Sequence, residues 1–156
     1  MTAGDDNPLK LRAHDAEDLA VISAMLQDAL VPLGDMTFLP DDNSFILAVN
    51  RYRWEQSDAP QRVHSGVRFD RVRRVQFSNI DRRNRRQFLS LMALEFLPAA
   101  ETNAETGDVI LLHLAGGGRI RLEVDEIFCV LSDFGEPWPT QWRPDHDLDE
   151  GSHDVE

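Results

Sequence analysis

The sequence contains one cysteine, Cys129, in 156 residues. That excludes an internal disulfide framework and any zinc site built from cysteines. No stretch approaches the roughly 18 uninterrupted apolar residues that a membrane-spanning helix needs, so no membrane partner is expected. The opening Met1-Thr2-Ala3-Gly4-Asp5-Asp6 has neither the basic nor the apolar region of a secretory leader, and the cytoplasm is the expected address. Glycine clusters only at Gly116-Gly117-Gly118, with no following Lys-Ser/Thr, and an alternating segment rather than a helix comes next. A phosphate loop is therefore not expected, and a tight hairpin is. Lysine is nearly missing as well. Lys10 is the one lysine among sixteen cations, and the rest are arginine. Arginine grips carboxylates and phosphates through a two-pronged fork that lysine lacks.

What is present is charge, and it is segregated. Residues 1–50 carry nine acids against Lys10 and Arg12, a net of −7. Residues 51–86 carry eleven arginines against Glu55, Asp58, Asp70 and Asp81, a net of +7. Residues 87–156 carry fifteen acids against three arginines, a net of −12, which equals the total for the chain. An acidic whole repels nucleic acid and anionic membrane at long range. The basic middle still acts locally, because at cellular salt charges decouple beyond roughly 8 Å.

At about 150 residues per domain the chain has the length of one domain. The expected division is a disordered segment over 1–7, a single domain over 8–143 and an acidic disordered tail over 144–156. Leu9-Lys10-Leu11-Arg12-Ala13 alternates as a short half-buried strand does. Asp15 then reads as an N-cap, with Glu17 and Asp18 in the first turn and a stripe of Leu19, Ile22, Leu26 and Ala29/Leu30 running to Pro32 and Gly34. Strand patterns follow. Met36–Leu39 and Phe45–Trp54 flank the turn cluster Pro40-Asp41-Asp42-Asn43, and Glu55–Arg62 reads as a loop. Val67–Phe69 and Val75–Phe77 read as short strands interrupted near Asp70-Arg71. Segments 87–97 and 126–134 fit helix or strand, and position among hairpins and β-branched content favour strand. Residues 109–114 and 119–124 form the glycine hairpin, and Pro137–Trp142 reads as an extended segment docking its tryptophans.

No catalytic constellation emerges. His14, His64, His113, His146 and His153 include no helical i, i+4 pair of zinc-ligand type. Cys129 sits in an apolar run with no partner base, and the serines lack a nucleophile elbow. Asp145, Asp147, Asp149 and Glu156 match the acidic positions of a calcium loop, but Glu150 stands where the glycine is required, so a solvated tail is expected. No cofactor or metal is expected. The feature with functional pull is the arginine block. Arg51 and Arg53 alternate with Tyr52 and Trp54, and Arg82, Arg83, Arg85 and Arg86 crowd one loop. Arginines beside aromatic platforms suit nucleic acid, and a cationic face equally suits an acidic protein. The plain alternative is a solvated face paired with the chain's own acids.

Several stretches carry a resemblance. They are Leu9–Ala13 with Asp15 and Asp18-Leu19, Phe45 through Trp54, Gly116 through Val124, Asp133-Phe134-Gly135 and Pro137-Trp138. Over most of 8–142 the chain resembles a family of small uncharacterised alphaproteobacterial proteins, catalogued as a domain of unknown function. The resemblance implies a bacterial cytoplasmic protein and assigns no site.

The fold expected is α+β: one N-terminal helix on a mainly antiparallel curved sheet of about seven or eight strands, or a partly closed barrel. The function expected is a non-catalytic binding or adaptor module. Its candidate partner-binding residues are Arg51, Arg53, Trp54, Arg82, Arg83, Arg85 and Arg86, with the loop arginines lying near Arg51 or Arg53. Two alternatives stand beside it: a small enzyme whose cleft joins His113 to Glu95 or Glu123, and a protein that self-associates through Trp138 and Trp142.

Overall fold

The computed structural model describes residues 8–56, 58–101 and 107–141. In chain order the elements are β1 (Lys10–Ala13), α1 (Ala16–Met25), β2 (Ala29–Pro32), β3 (Met36–Leu39), β4 (Ser44–Tyr52) and β5 (Gln61–Phe69). Then come β6 (Val72–Ser78), β7 (Phe88–Leu97), β8 (Asp108–Leu114), β9 (Arg119–Val124) and β10 (Cys129–Pro139). The class is α+β, as expected, with ten strands rather than seven or eight. They form one antiparallel sheet in the order β1-β10-β5-β4-β2-β7-β8-β9-β6, with β3 added along β4. The sheet is curved and does not close, so β1 and β6 are its edges. One strand that was not expected is the short β2, whose residues Ala29 and Leu30 read as the end of the helical stripe.

The bend has a local cause. Asp15 caps α1, its carboxylate accepting the Asp18 backbone N–H at 2.7 Å. The helix stops at Met25 instead of running on through Leu30, because Asp28 adopts a positive φ of 64° and turns the chain into β2. Ala29 and Val31 are therefore buried by the period of a strand, not of a helix. A short 3-10 turn, Leu33–Asp35, then separates β2 from β3. Both strands lie on the same side of β4. β3 takes Ser44 to Leu47 of it, whereas β2 meets it only at Leu30↔Asn50 before pairing with β7 over four residues. With so little pairing at the β2–β4 junction, the two halves of the sheet fold toward each other there.

Between them lies the core. Phe45, Leu47, Phe69, Ile110, Leu112, Ile120, Leu122 and Leu131 are buried, and α1 adds Leu19, Ile22 and Leu26. Each such side chain removed from water contributes roughly 1.5–3 kcal/mol. The concave side is drawn together beyond the helix too: Val72 N–H donates to the Asn43 carbonyl at 2.8 Å, and the rings of Phe45 and Phe77 meet edge to face at 6.5 Å.

Segments that fit either helix or strand resolve as strand. Residues 88–97 are β7, and β10 begins at Cys129, two residues after Ile127. β10 also runs on through Gly135 and Pro137 to Pro139, taking in the start of the extended segment expected from Pro137. A bulge between Phe134 and Trp138, with Gly135 at φ 75°, absorbs the irregularity. β5 begins at Gln61, so part of the expected 55–62 loop is strand, and β6 pairs with β9 rather than with β5. The glycine hairpin is as expected: Gly116 and Gly117 take positive φ, and Leu114 N–H donates to Gly118 O at 2.9 Å. Residues 1–7 and 142–156, including Trp142, Arg143 and the calcium-like acids, lie outside the described residues.

Candidate functional site

The seven arginine-block residues divide into two groups. β4 runs inward-outward, so Phe45, Leu47, Val49 and Arg51 point the same way, into the protein. Arg51 has no exposed side-chain surface. Its five N–H donors are all used. Nε and Nη2 grip Asp133 at 2.9 and 2.8 Å, Nη1 and Nη2 grip Glu55 at 3.0 and 2.8 Å, and Nη1 also reaches Tyr52 O at 3.2 Å. Asp133, on β10, further accepts from Ser65 Oγ at 2.7 Å and from the Leu9 N–H at 2.9 Å. Arg53, 3% exposed, pairs with Glu55 at 3.5 Å and donates to Gln61.

This knot ties β4, β5, β10 and the approach to β1 together, and its protonation follows from the pairing. Burial opposes the charge of Arg51, but the hydrogen bonds and charges of Asp133 and Glu55 outweigh it and hold the guanidinium above its ordinary value. Burial likewise disfavours the two carboxylates, and the bonds from Arg51 reverse the balance, so both sit below the ordinary carboxylate range. With no donor to spare, Arg51 has nothing to offer a ligand. Trp54 is half-buried, its ring edge-on to Tyr52 at 4.8 Å and its Nε1 donating to Gln27 O at 3.1 Å.

Arg82, Arg83, Arg85 and Arg86 differ in every respect. They lie on the connection between β6 and β7, and all four are exposed. Side chains brace the loop from within. Gln87 Nε2 donates to the Asp81 and Asn84 carbonyls at 2.5 and 3.0 Å. The backbone of Arg83 and of Arg86 donates to the side chains of Asp81 and Asn84 at 3.1 and 3.2 Å. Its outer edge is pinned to the β2–β3 turn, where Gly34 N–H donates to Arg85 O and Leu33 N–H to Gln87 O, both at 2.9 Å. A Cβ at position 34 would stand 3.2 Å from Arg85 O, so glycine permits this close seat. Arg83 is tied to Asp81 at 2.9 Å, and that bond holds the Asp81 carboxyl below its usual range. Arg82, Arg85 and Arg86 have no ion pair among the described residues.

Arg82 lies over the ring of Phe77, 4.3 Å from its centroid. Beneath this loop is a shallow pocket of about 130 Å³, walled by Leu33, Met36, Phe38, Phe45 and Phe77 and completed by Arg82 and Arg85. Arg51 and Arg53 are buried and the loop arginines exposed, so the expected shared face does not form. Phe45 belongs to the pocket, whereas Arg51 is six residues further along the same strand, roughly 20 Å away at the rise of a β-strand. The pocket's apolar wall had no signature in sequence, because Phe77 meets Phe45 only through the curl of the sheet. The burial of Arg51 did have one: its inward parity with Leu47 and Val49 demanded an internal partner.

Of the other candidates, His113 and Glu95 do come together, Nε2 to Oε1 at 2.7 Å across β7 and β8. They stand on an exposed sheet face, His113 33% and Glu95 49% exposed. Glu123 is held by Arg121 at 2.5 Å. His64 stacks on Phe134 at 5.8 Å and leans on Trp138 at 4.7 Å, leaving Phe134 52% exposed. Cys129 is buried, and burial together with the Asp70 charge pushes its thiol up to about 12, far from a nucleophile's range. Among the described residues no group of three or more metal-ligating side chains converges, and no helix is long and apolar enough to cross a membrane.

Comparison with known proteins gives one relationship. A family model described as "Protein of unknown function (DUF2948)" matches residues 9–146. No curated protein and no solved structure matches the chain.

Proposed function

The chain belongs to the DUF2948 family, and from that premise we propose that it is a non-catalytic binding module of the alphaproteobacterial cytoplasm that takes an acidic protein at its 81–87 loop. One observation carries the reading. Arg82, Arg85 and Arg86 are exposed, have no ion pair among the described residues, and ride on a loop pinned at Gly34 beside a pocket floored by apolar side chains and rimmed by Arg82 and Arg85. A loop whose backbone is held at Gly34 loses little freedom on binding, and an acidic partner supplies carboxylates to its arginines. A protein suits the site better than nucleic acid. The loop carries four arginines against Asp81, a net of +3, so with a total of −12 the rest of the chain carries −15, and a nucleic-acid strand would carry its phosphates across that hostile surface. A short acidic segment presents its charge over the loop alone.

The test is fluorescence anisotropy with a labelled oligoglutamate peptide and a labelled oligothymidine of equal length. The peptide binds, its affinity falls with added salt, and the Arg82→Ser/Arg85→Ser/Arg86→Ser variant loses it. Binding that survives the triple substitution, or preference for the oligonucleotide, contradicts the reading. Self-association is a second reading, supported by the exposed Phe134 beside His64 and Trp138. Light scattering after size exclusion decides it, a monomer at high concentration being the unfavourable result.

A further inference from the structure

We propose that the pocket under the arginine loop receives one large apolar side chain from the acidic partner, so that the recognised element is a short segment with a leucine, methionine or phenylalanine among carboxylates. The proposal rests on the anion-binding reading above and adds the chemistry of what is bound.

Size is the first argument. The pocket holds about 130 Å³. Small-molecule sites span roughly 300–1,000 Å³, too large by comparison, whereas an apolar cavity of about 150 Å³ accommodates a single benzene ring. One branched or aromatic side chain fills this space, and an extended acyl chain exceeds it.

The lining is the second. Leu33, Met36 and Phe45 form a floor that is 3, 7 and 1% exposed, and Phe38 and Phe77 are half-buried. The wall contains no polar side chain other than the two arginines. The two arginines only donate, so a nucleobase placed there would leave its ring-edge N–H donors without a side-chain acceptor, at a cost that disfavours it. A hydrocarbon side chain has none to leave. Met36 is suited to the task, because an unbranched thioether adjusts to guests of different shape.

Charge at the mouth is the third. Arg82 and Arg85 line the same pocket that the apolar residues floor, and Arg86 follows on the loop. Asp81 is occupied by Arg83. A partner backbone that drops an apolar side chain into the pocket brings its neighbouring residues against exposed guanidinium groups, Arg82 resting on Phe77 and Arg85 Nη2 donating to Gly34 O at 3.4 Å but neither in an ion pair among the described residues. Acidic neighbours are the ones that gain.

The experiment uses two labelled oligoglutamate peptides, one with a central leucine and one with alanine there, titrated into the full-length protein and into the Arg82→Ser/Arg85→Ser/Arg86→Ser variant. The chain has four methionines, so a spectrum of methyl-labelled methionine is sparse enough to follow Met36 directly. The leucine peptide binds about tenfold more tightly than the alanine peptide, the increment expected from burying its extra carbons, and it alone shifts the Met36 methyl signal. Equal affinities with an unmoved Met36 signal overturn the pocket proposal, and if both peptides still depend on the arginines the loop reading survives. Loss of arginine dependence for both peptides overturns the two together.

Discussion

Arg51 and Arg85 are the same residue in one molecule, and they do opposite work. Arg51 lies on a strand face that points into the core, and its charge is tolerable there because two carboxylates and a carbonyl take up every donor. Arg85 lies on a braced loop, open to solvent, with no ion pair among the described residues. Charge number does not separate them. Their surroundings do: a buried guanidinium must be spent on the fold, and only an exposed one on a rigid mount is free for a partner.

The largest expected effect breaks the buried side of this contrast. Arg51→Met leaves Asp133 buried without its cation and destabilises the protein by about 3–5 kcal/mol in equilibrium unfolding by denaturant. Pairing it with Asp133→Leu restores part of that loss, because the orphaned carboxylate is gone. A double variant no more stable than the single one argues that Asp133 serves something other than Arg51.

Acid sharpens the same side. Asp133 and Glu55 have folded values held below the ordinary carboxylate range of about 4. Their contribution is fully present above that range and is lost as pH falls through the lower folded values. Stability is therefore flat from neutrality to about pH 5 and declines below it, and the decline is shallower in Asp133→Asn. An acid limb of unchanged slope in that variant counts against the knot as its source.

On the exposed side, Arg82→Lys and Arg85→Lys keep the charge and discard the fork. Each weakens peptide binding several-fold without moving the unfolding midpoint, a loss read by anisotropy. Full affinity with lysine reduces the site to a diffuse positive field. Smaller still is Glu95→Gln. Its pair with His113 is solvent-screened on both sides, so the change costs no more than about 1 kcal/mol in a thermal melt. The smallest effect is an absence: Cys129, buried and with its thiol pushed up to about 12, reacts with a thiol reagent only at the rate of unfolding.

Local features were legible before any coordinates. The Asp15 cap, the Met36–Leu39 and Ser44–Tyr52 hairpin around its Asp-Asp-Asn turn, and the glycine hairpin after Leu114 all depend on neighbours a few residues away. The end of α1 was not, since Leu26, Ala29 and Leu30 satisfy a helical stripe until Asp28 takes a positive φ and bonds its N–H to Leu91 O at 2.7 Å. That partner is some sixty residues on in sequence, and only the assembled sheet supplies it. The candidate site failed in part for the same reason. Its four loop arginines stood out in the sequence as a run, but the pocket beneath them joins β3, β4 and β6 through a curl that no short pattern encodes. Arg51 and Arg53 are buried and paired within the protein, and for Arg51 the inward position is already implied by its parity with Leu47 and Val49.

The most direct check is the affinity of the leucine-bearing oligoglutamate peptide for the Arg82→Ser/Arg85→Ser/Arg86→Ser protein, measured on a sample whose unfolding midpoint equals that of the wild type. Affinity lost from a fully folded protein is the predicted result. Affinity retained there contradicts the assignment of these arginines to a partner.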